Sequence, residues 1–466
     1  MPQFSWLTYL DARKALAARL AIIWQADPSS NFWSDAELGF WIAEALRTWN
    51  SLTEQWNQNF SFLSNSSQTW YSLASLPGSP RLRTLTDSYL YTAMQYALLE
   101  PPTGAGAWTG TSQFSLADLQ FALQRRRDEV IQFSGCNLTQ LPPLTSAANQ
   151  RRTFFPDSTL EPRRTRFIPD STAGPITLCR EDTLVFDAFD PGYLQSNALP
   201  SSWSVVTEPP LAMDVDTAPF VTGNYDVISL QSGPVFAPPA STLLGIPDDF
   251  AWVPKWGALA DLLGRESEAT DRPRADYCLK RYQDGLKVMA RSNWLLSATV
   301  NGLPVDTPSL KEIDAFSPEW ENTGTAWPCI VQAGMDFFGL CSPVIPFTGV
   351  SMVVVGNAPV PALDGDFVQV SRDVFDVILD YAQMLATFKQ GGAEFASTKD
   401  LENNFMAAAV QTNKRLSNLG LYRDVAGKVG QKQNIDHPRG NGGYGLSTYH
   451  GRRATRNARD GPRSSA

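Results

Sequence analysis

The chain has 466 residues, 43% of them hydrophobic and 18% charged, which supplies enough apolar material for a sizeable core and excludes a largely disordered protein. At about 100–200 residues per domain, this length predicts two to four domains. The formal net charge of −9 argues against a general binder of nucleic acid or anionic membranes, and no run of about 18 apolar residues predicts a membrane span.

The first part of the chain, residues 1–135, predicts an N-terminal helical region. Apolar residues recur at helical spacing over 9–26, 34–52, 86–99 and 115–133. Ser34 and Glu37 have the spacing of a capping box at the start of the second helix. Gly135 is placed to cap the fourth helix at its carboxyl end, and Asp27-Pro28 is expected to stop the first.

Tryptophan is concentrated in this region, which holds eight of the 14 in the chain. Trp41 and Trp49 are eight residues apart on the second predicted helix and share a face, and Trp33 directly precedes its cap. Tryptophan is large and apolar with one donor, and it is common both in cores and in interfaces. Trp33, Trp41 and Trp49 are therefore candidates for either a buried core or an oligomer interface.

Residues 136–250 predict a first β module, because prolines and β-branched residues replace the helical pattern. The sequence Pro-Asp-Ser-Thr occurs at 156–159 and again at 169–172, which indicates two strand-plus-turn units. Arg163, Arg164 and Arg166 lie between the two copies, so we expect them on a loop or hairpin tip. An earlier basic run, 125–127, is followed by acidic residues and is interpreted as a solvent-facing helix surface.

The rest of the body alternates between helix and strand. We expect a helical return at 251–293, a second β module at 294–370 and C-terminal helices at 371–416. The order strand, strand, proline turn, strand, helix occurs in both β modules, with the third strand expected at 242–246 in the first copy and at 350–355 in the second, which suggests a structural duplication. The predicted fold class is α+β, with a helical body built from separated parts of the chain and β modules inserted between them.

Residues 417–466 form a basic, Gly- and Arg-rich tail. Nine basic and three acidic residues give it a charge of +6, which leaves −15 for residues 1–416 out of the total of −9. Such a segment is not expected to fold alone, and we interpret it as a flexible arm that orders on an acidic partner. Its candidate docking residues are Arg439, Tyr444, Tyr449, Arg452, Arg453, Arg456 and Arg459.

The residue types needed for several kinds of catalysis are scarce. The two histidines, His437 and His450, both lie in the tail, where a rigid catalytic or metal-binding imidazole is not expected. The five cysteines contain no Cys-x-x-Cys pair, and no phosphate-binding Walker loop is present. We therefore predict neither an enzyme nor a metal or organic cofactor. The acid pairs Asp248/Asp249 and Asp364/Asp366 leave a carboxylate-only glycoside hydrolase as a weaker alternative.

Several stretches resemble the head-to-tail adaptor (connector or neck) proteins of tailed bacteriophages. They are Trp33-Ser34-Asp35-Ala36-Glu37-Leu38 with the helix from Trp41 to Trp49, Ile228-Ser229-Leu230, Ile246-Pro247, Val253-Pro254-Lys255-Trp256-Gly257-Ala258-Leu259, Asp271-Arg272-Pro273-Arg274-Ala275-Asp276-Tyr277 and Arg281-Tyr282. The resemblance covers much of residues 1–416 in layout and only these stretches in sequence.

The resemblance implies a structural virion protein of the neck or tail, assembled in the host cytoplasm. It implies a homo-oligomeric ring, most often a dodecamer, beneath the portal protein and against an adjacent tail or nozzle protein. DNA would pass through the lumen without sequence-specific binding, which suits an acidic body, and no membrane would be involved. The leading alternative from another class is a non-catalytic tail protein that binds a receptor or carbohydrate.

Overall fold

The structure is a computed structural model, and it confirms the α+β class. It describes residues 4–22, 24, 32–65, 68–99, 114–171, 174–189, 197–237, 241–265, 270–292, 294–317, 319–323, 328–341 and 349–418. The chain divides into two compact units, Met1–Val425 and Ala426–Ala466, and every described residue belongs to the first. The predicted docking residues of the basic tail lie outside the described residues.

The described residues of the N-terminal region form four helices and two strands. They are α1 (Tyr9–Arg19), α2 (Asp35–Thr53), β1 (Asn57–Leu63), β2 (Trp70–Ser72), α3 (Asp87–Ala97) and α4 (Leu116–Ser134). Local capping fixes the ends of the last helix: Ser115 accepts a hydrogen bond from the Asp118 N–H, and Gly135 caps it with a φ of +68°, which glycine adopts without strain.

The first helix is shorter than the sequence pattern predicts. It was expected over 9–26, but α1 ends at Arg19, Leu20 is its C-cap and Ala21 has a left-handed φ of +55°. Leu16 is fully buried, so α1 packs its apolar face against the large core although it is shorter than expected. The predicted stop at Asp27-Pro28 lies outside the described residues.

Among the described residues, the first β module forms one eight-stranded sheet with a small core of its own. Its elements are β3 (Leu138–Gln140), β4 (Leu144–Ser146), β5 (Arg152–Phe154), β6 (Thr159–Pro169), β7 (Ile176–Arg180), α5 (Thr183–Phe189), β8 (Ser202–Val206), β9 (Ala212–Val215) and β10 (Gly223–Gln231). The strand order is β3-β10-β6-β7-β8-β9-β5, and β4 also pairs with β10. Phe167, Trp203 and Tyr225 lie at the centre of its core and are fully buried.

The second half of the chain builds helices around two further sheets. Its elements are α6 (Trp252–Leu263), α7 (Arg272–Arg291), β11 (Leu295–Val300), β12 (Leu303–Pro304), α8 (Leu310–Phe316), α9 (Trp320–Thr323), β13 (Cys329–Gln332), β14 (Phe337–Cys341), β15 (Gly349–Val355), α10 (Arg372–Thr387), α11 (Gly392–Ser397) and α12 (Lys399–Asn418). The sheets have the orders β1-β15-β11-β12 and β13-β14-β2.

These two sheets correct the predicted boundary at residue 135. β1 pairs with β15 along its whole length: Asn57 lies opposite Val355, and Leu63 lies opposite Gly349. β2 pairs with β14. The N-terminal region is therefore not purely helical, because it supplies one strand to each sheet of the second β module. Local sequence did not reveal these strands, since their partners lie far along the chain.

The predicted duplication of the β modules is wrong. In the first copy, β8 and β10 are separated within one sheet by β6 and β7, and the expected strand at 242–246 makes only an isolated bridge from Leu243 to Thr86. In the second copy, β13 and β14 are direct neighbours, and β15 belongs to another sheet. The third strand of the first copy therefore does not form as expected, and the hydrogen-bond partners of the two copies differ, because pairing depends on packing that the order of elements along the chain does not encode.

The helices pack around α2 in a single large core that also includes the sheets of the second module. α10 and α12 pack against each other and against α2, and α6 packs on α7 and α4. The contact between α6 and α7 is close, since a Cβ on Gly285 would lie 2.7 Å from the Cγ2 atom of Val253. The helical body thus joins parts of the chain from residue 9 to residue 418.

Candidate functional site

The three tryptophans singled out from the sequence lie in the core of the single chain. Ser34 caps α2 by accepting the Glu37 N–H at 3.2 Å, and this sets the face that the helix buries. Trp41 is 1% exposed, Trp49 is fully buried and Trp33 is 8% exposed. Of the two alternatives predicted for them, core and oligomer interface, the structure of one chain supports the core.

A buried ion pair connects α2 to α6 beside these tryptophans. The ammonium of Lys255 lies 2.6 Å from Glu44 Oε1, and Lys255 has no exposed surface. The same nitrogen lies 5.2 Å from the ring centroid of Trp41 and 4.3 Å from that of Trp256, within range of cation–π attraction. Burial lowers the pKa of Lys255, and the Glu44 carboxylate opposes this effect.

A second buried group connects α7 to α10 and α12. Arg281 donates to the Tyr381 hydroxyl and lies 3.0 Å from Glu402 Oε1, while the Tyr277 hydroxyl donates to Glu402 Oε2 at 3.0 Å. The guanidinium also stacks 5.0 Å from the ring centroid of Trp252 on α6. Burial raises the pKa of Tyr381 and of Tyr277, so both hydroxyls stay protonated at neutral pH. We call these two groups the helical core network: Glu44, Lys255, Arg281, Tyr381 and Glu402.

The Glu37 carboxylate, which was expected to complete a capping box with Ser34, binds two other donors. Glu37 accepts a hydrogen bond from Trp41 Nε1 at 3.2 Å and from Lys389 Nζ at 2.8 Å. Burial raises the pKa of Glu37 and lowers that of Lys389, and each partner's charge opposes the shift of the other. This pair fastens the start of α2 to the residues that follow α10.

The basic run 125–127 was expected on a solvent-facing surface, and this expectation is wrong for two of its three members. Arg127 has no exposed side-chain surface and donates to the carbonyl oxygen of Pro234 at 2.7 Å. Arg126 binds Asp261 on α6 and stacks on the ring of Tyr282. Arg125 alone is exposed, because the run spans more of the helix circumference than its solvent face.

The second basic group was expected on a loop and instead lies inside β6. Arg164 pairs with Asp314, with Nε 2.9 Å from Oδ2, and also with Glu321. Arg166 pairs with Asp226 at 2.7 Å and shares Glu321 with Arg164. These buried contacts join the first β module to α8 and α9, so the arginines hold parts of the chain together.

The acid pairs considered for a hydrolase have structural partners. Asp248 accepts hydrogen bonds from the backbone of Thr84 and Leu85, and Asp249 accepts from Asn50 Nδ2 and from the Ala358 N–H. Asp366 accepts from the N–H groups of residues 362 and 363 in a turn, and Asp364 pairs with Arg13. Their oxygen atoms therefore stabilise the fold at these positions.

The helical core network is enclosed by aromatic rings and has no exposed ammonium or guanidinium. Chemically it can orient helices: a buried ion must keep its partner, so the relative positions of α2, α6 and α7 are specified. Sequence reasoning missed it, although one signal was available. Lys255 is the lone basic residue within the apolar run of α6, and such a charge requires a buried partner.

Searches for other kinds of site and for relatives add three findings. Among the described residues, no group of three or more histidine, cysteine or acidic side chains is placed to hold a metal ion. Within that same part of the chain, no helix is long and apolar enough to cross a membrane. A scan against protein-family models and a search of curated proteins both find no match to this chain.

Proposed function

We propose that this chain is a structural virion protein, a head-to-tail adaptor of a tailed bacteriophage. It forms a ring beneath the portal protein and a conduit for DNA. The observation that carries the proposal is that three of the stretches resembling adaptors pack together: Glu44 binds Lys255, and the ring centroid of Trp256 lies 5.7 Å from that of Tyr277. A resemblance spread over distant stretches gains weight when those stretches build one unit.

The helical core network suits a ring subunit for a mechanical reason. A ring closes only if every copy presents the same angle between its two contact surfaces. Buried ion pairs favour one packing of α2, α6 and α7 over alternatives, because any other packing would leave a charge without its partner. The proposed ring is a homo-oligomer, most often twelve-fold by resemblance, with these helices in its wall.

The negative charge of residues 1–416 supports the proposed role of the ring as a conduit for DNA. Residues 1–416 carry −15, and a wall of this sign does not hold DNA by releasing its counterions. The basic tail, with Arg439, Arg452 and Arg453 among its docking residues, is proposed to bind an acidic groove on the portal or on an adjacent tail or nozzle protein. The protein would then reside in the neck or tail of the virion.

The test mixes the purified full-length chain with the portal protein encoded in the same genome and examines the mixture by negative-stain electron microscopy. Portal rings alone serve as the control. The proposal expects a second ring stacked coaxially on the portal, with an open channel. Unchanged portal rings beside trimeric spikes that bind glycans would contradict it and would support the receptor-binding alternative.

A further inference from the structure

β1 is an edge strand without the usual protection against pairing. β15 pairs with it on one side, and among the described residues no strand pairs with it on the other. The pairing has no register shift, and the strand sequence NQNFSFL contains no charge, proline or glycine. Proteins normally block exposed edges with charges, prolines or bulges. An edge this regular is suited to pairing with another strand.

The backbone groups that face the open edge follow from the register. Val355 donates its N–H to the carbonyl oxygen of Trp294 at 2.8 Å, on the β11 side of β15. The N–H and C=O groups of the even-numbered residues of β15 therefore point toward β1. Their β1 partners are even-numbered as well. Because direction alternates along a strand, Asn59, Ser61 and Leu63 point their N–H and C=O groups away from the sheet.

The side chains beside this edge are also uncharged. Asn59, Ser61 and Leu63 are exposed on the same face as Ser351 of β15 and Ser297 of β11. The Ser61 and Ser351 hydroxyls share a hydrogen bond of 2.7 Å on this face. Two copies of the chain, each with a net charge of −9, repel each other least where neither presents a charge. This surface therefore favours a second copy over a charged partner.

We propose that β1 pairs antiparallel with β1 of a second copy of this chain. With Phe60 on the two-fold axis, Asn59 lies opposite Ser61 of the second copy and Asn57 opposite its Leu63. Every outward-facing residue then meets another outward-facing residue, so the strands pair along their whole length. The two four-stranded sheets become one eight-stranded sheet. This contact closes on itself and is separate from the head-to-tail contact that a ring requires.

The first test is sedimentation velocity of the full-length chain over a range of concentrations. We expect a reversible dimer of about twice 51.3 kDa. Asn59→Pro removes an outward N–H from each copy and keeps the bonds to β15, so it should weaken the dimer roughly ten- to hundredfold. Leu303→Lys is the matched control, because it places a charge at an exposed position of β12, the opposite edge of the same sheet, and should leave the dimer intact.

The second test fixes the register and does not depend on proline. Asn59→Glu with Ser61→Glu places like charges opposite each other across the axis and should give monomers. Asn59→Lys with Ser61→Glu places opposite charges there and should retain the dimer. Circular dichroism confirms that each variant is folded.

Three results would overturn the proposal. They are a wild-type monomer at all concentrations, a dimer lost with Leu303→Lys but retained with Asn59→Pro, and equal behaviour of the two charge pairs. Portal binding is measured separately, so this proposal and the adaptor function can fail independently.

Discussion

Single buried charges do much to specify the helical body, and Lys255 is the clearest case. It has no exposed surface, its pKa is lowered by burial, and its ammonium contacts one carboxylate and two aromatic rings. Such a pair contributes little net stability compared with an apolar replacement, since both ions lose their hydration. The pair instead determines which arrangement the packed helices adopt.

A double-mutant cycle tests this interpretation of Lys255 and Glu44. Lys255→Met leaves the Glu44 carboxylate buried without its cation and should lower the free energy of unfolding by about 3–5 kcal/mol. Adding Glu44→Leu removes the stranded charge and should recover most of that loss. Urea denaturation of the three variants gives the coupling free energy. Additive losses would show that the two side chains do not act as a pair.

Asp249 should make stability depend on pH. Burial raises its pKa from 3.8 to about 6, against the opposing hydrogen bonds from Ala358 and Asn50. Between these two values the folded state binds more protons than the unfolded state, so this group's contribution to stability is complete below pH 4 and is lost as pH rises to 6.

Asp249→Asn removes this dependence. The free energy of unfolding of the variant minus that of the wild type should therefore rise by about 2–3 kcal/mol between pH 4 and pH 7. Denaturant unfolding at several pH values measures this difference. If the difference in unfolding free energy between Asp249→Asn and the wild type does not change with pH, the raised pKa of Asp249 is contradicted. This holds for any absolute size of that difference.

At the scale of elements, α2 is the helix around which the others are arranged. Its Trp41 is 1% exposed and lies against Lys255, so Trp41→Ala should cost roughly 3–5 kcal/mol of unfolding free energy. Phe121→Ala on α4 is the matched control, because that ring is 67% exposed and its loss should cost about 0.5 kcal/mol or less.

Thermal melts measure the stability of both variants, and sedimentation measures their assembly. If Trp41→Ala leaves stability unchanged and prevents assembly, Trp41 belongs to an oligomer interface, which is the alternative that the sequence left open.

The sequence predicted those elements whose signals are local. α2 and α4 begin at Ser34 and Ser115 as expected, because a capping serine acts within one turn. β1 was missed because its partner β15 lies almost 300 residues away and its own sequence is short and polar. Arg127 and Arg164 were misplaced for the same reason, since their burial depends on distant carbonyl and carboxylate groups.

At the scale of the whole molecule, the separation of charge between body and tail leads to a further prediction. Removing residues 417–466 should leave the circular dichroism spectrum of the body nearly unchanged, because among the described helices and strands the cut removes only the last two residues of α12. The truncated chain should lose docking to its partner, and high salt should weaken docking of the full chain in the same way. Full docking by the truncated chain would show that the tail is not an arm.

The proposed ring lies between the portal and the tail of the virion. Cryo-electron microscopy of virions from the genome that encodes it tests this claim most directly, by locating density that matches the helical body around α2. We expect a closed ring of identical copies directly beneath the portal, with DNA or an open channel on its axis. Density for this chain in a trimeric spike at the tail periphery would contradict it.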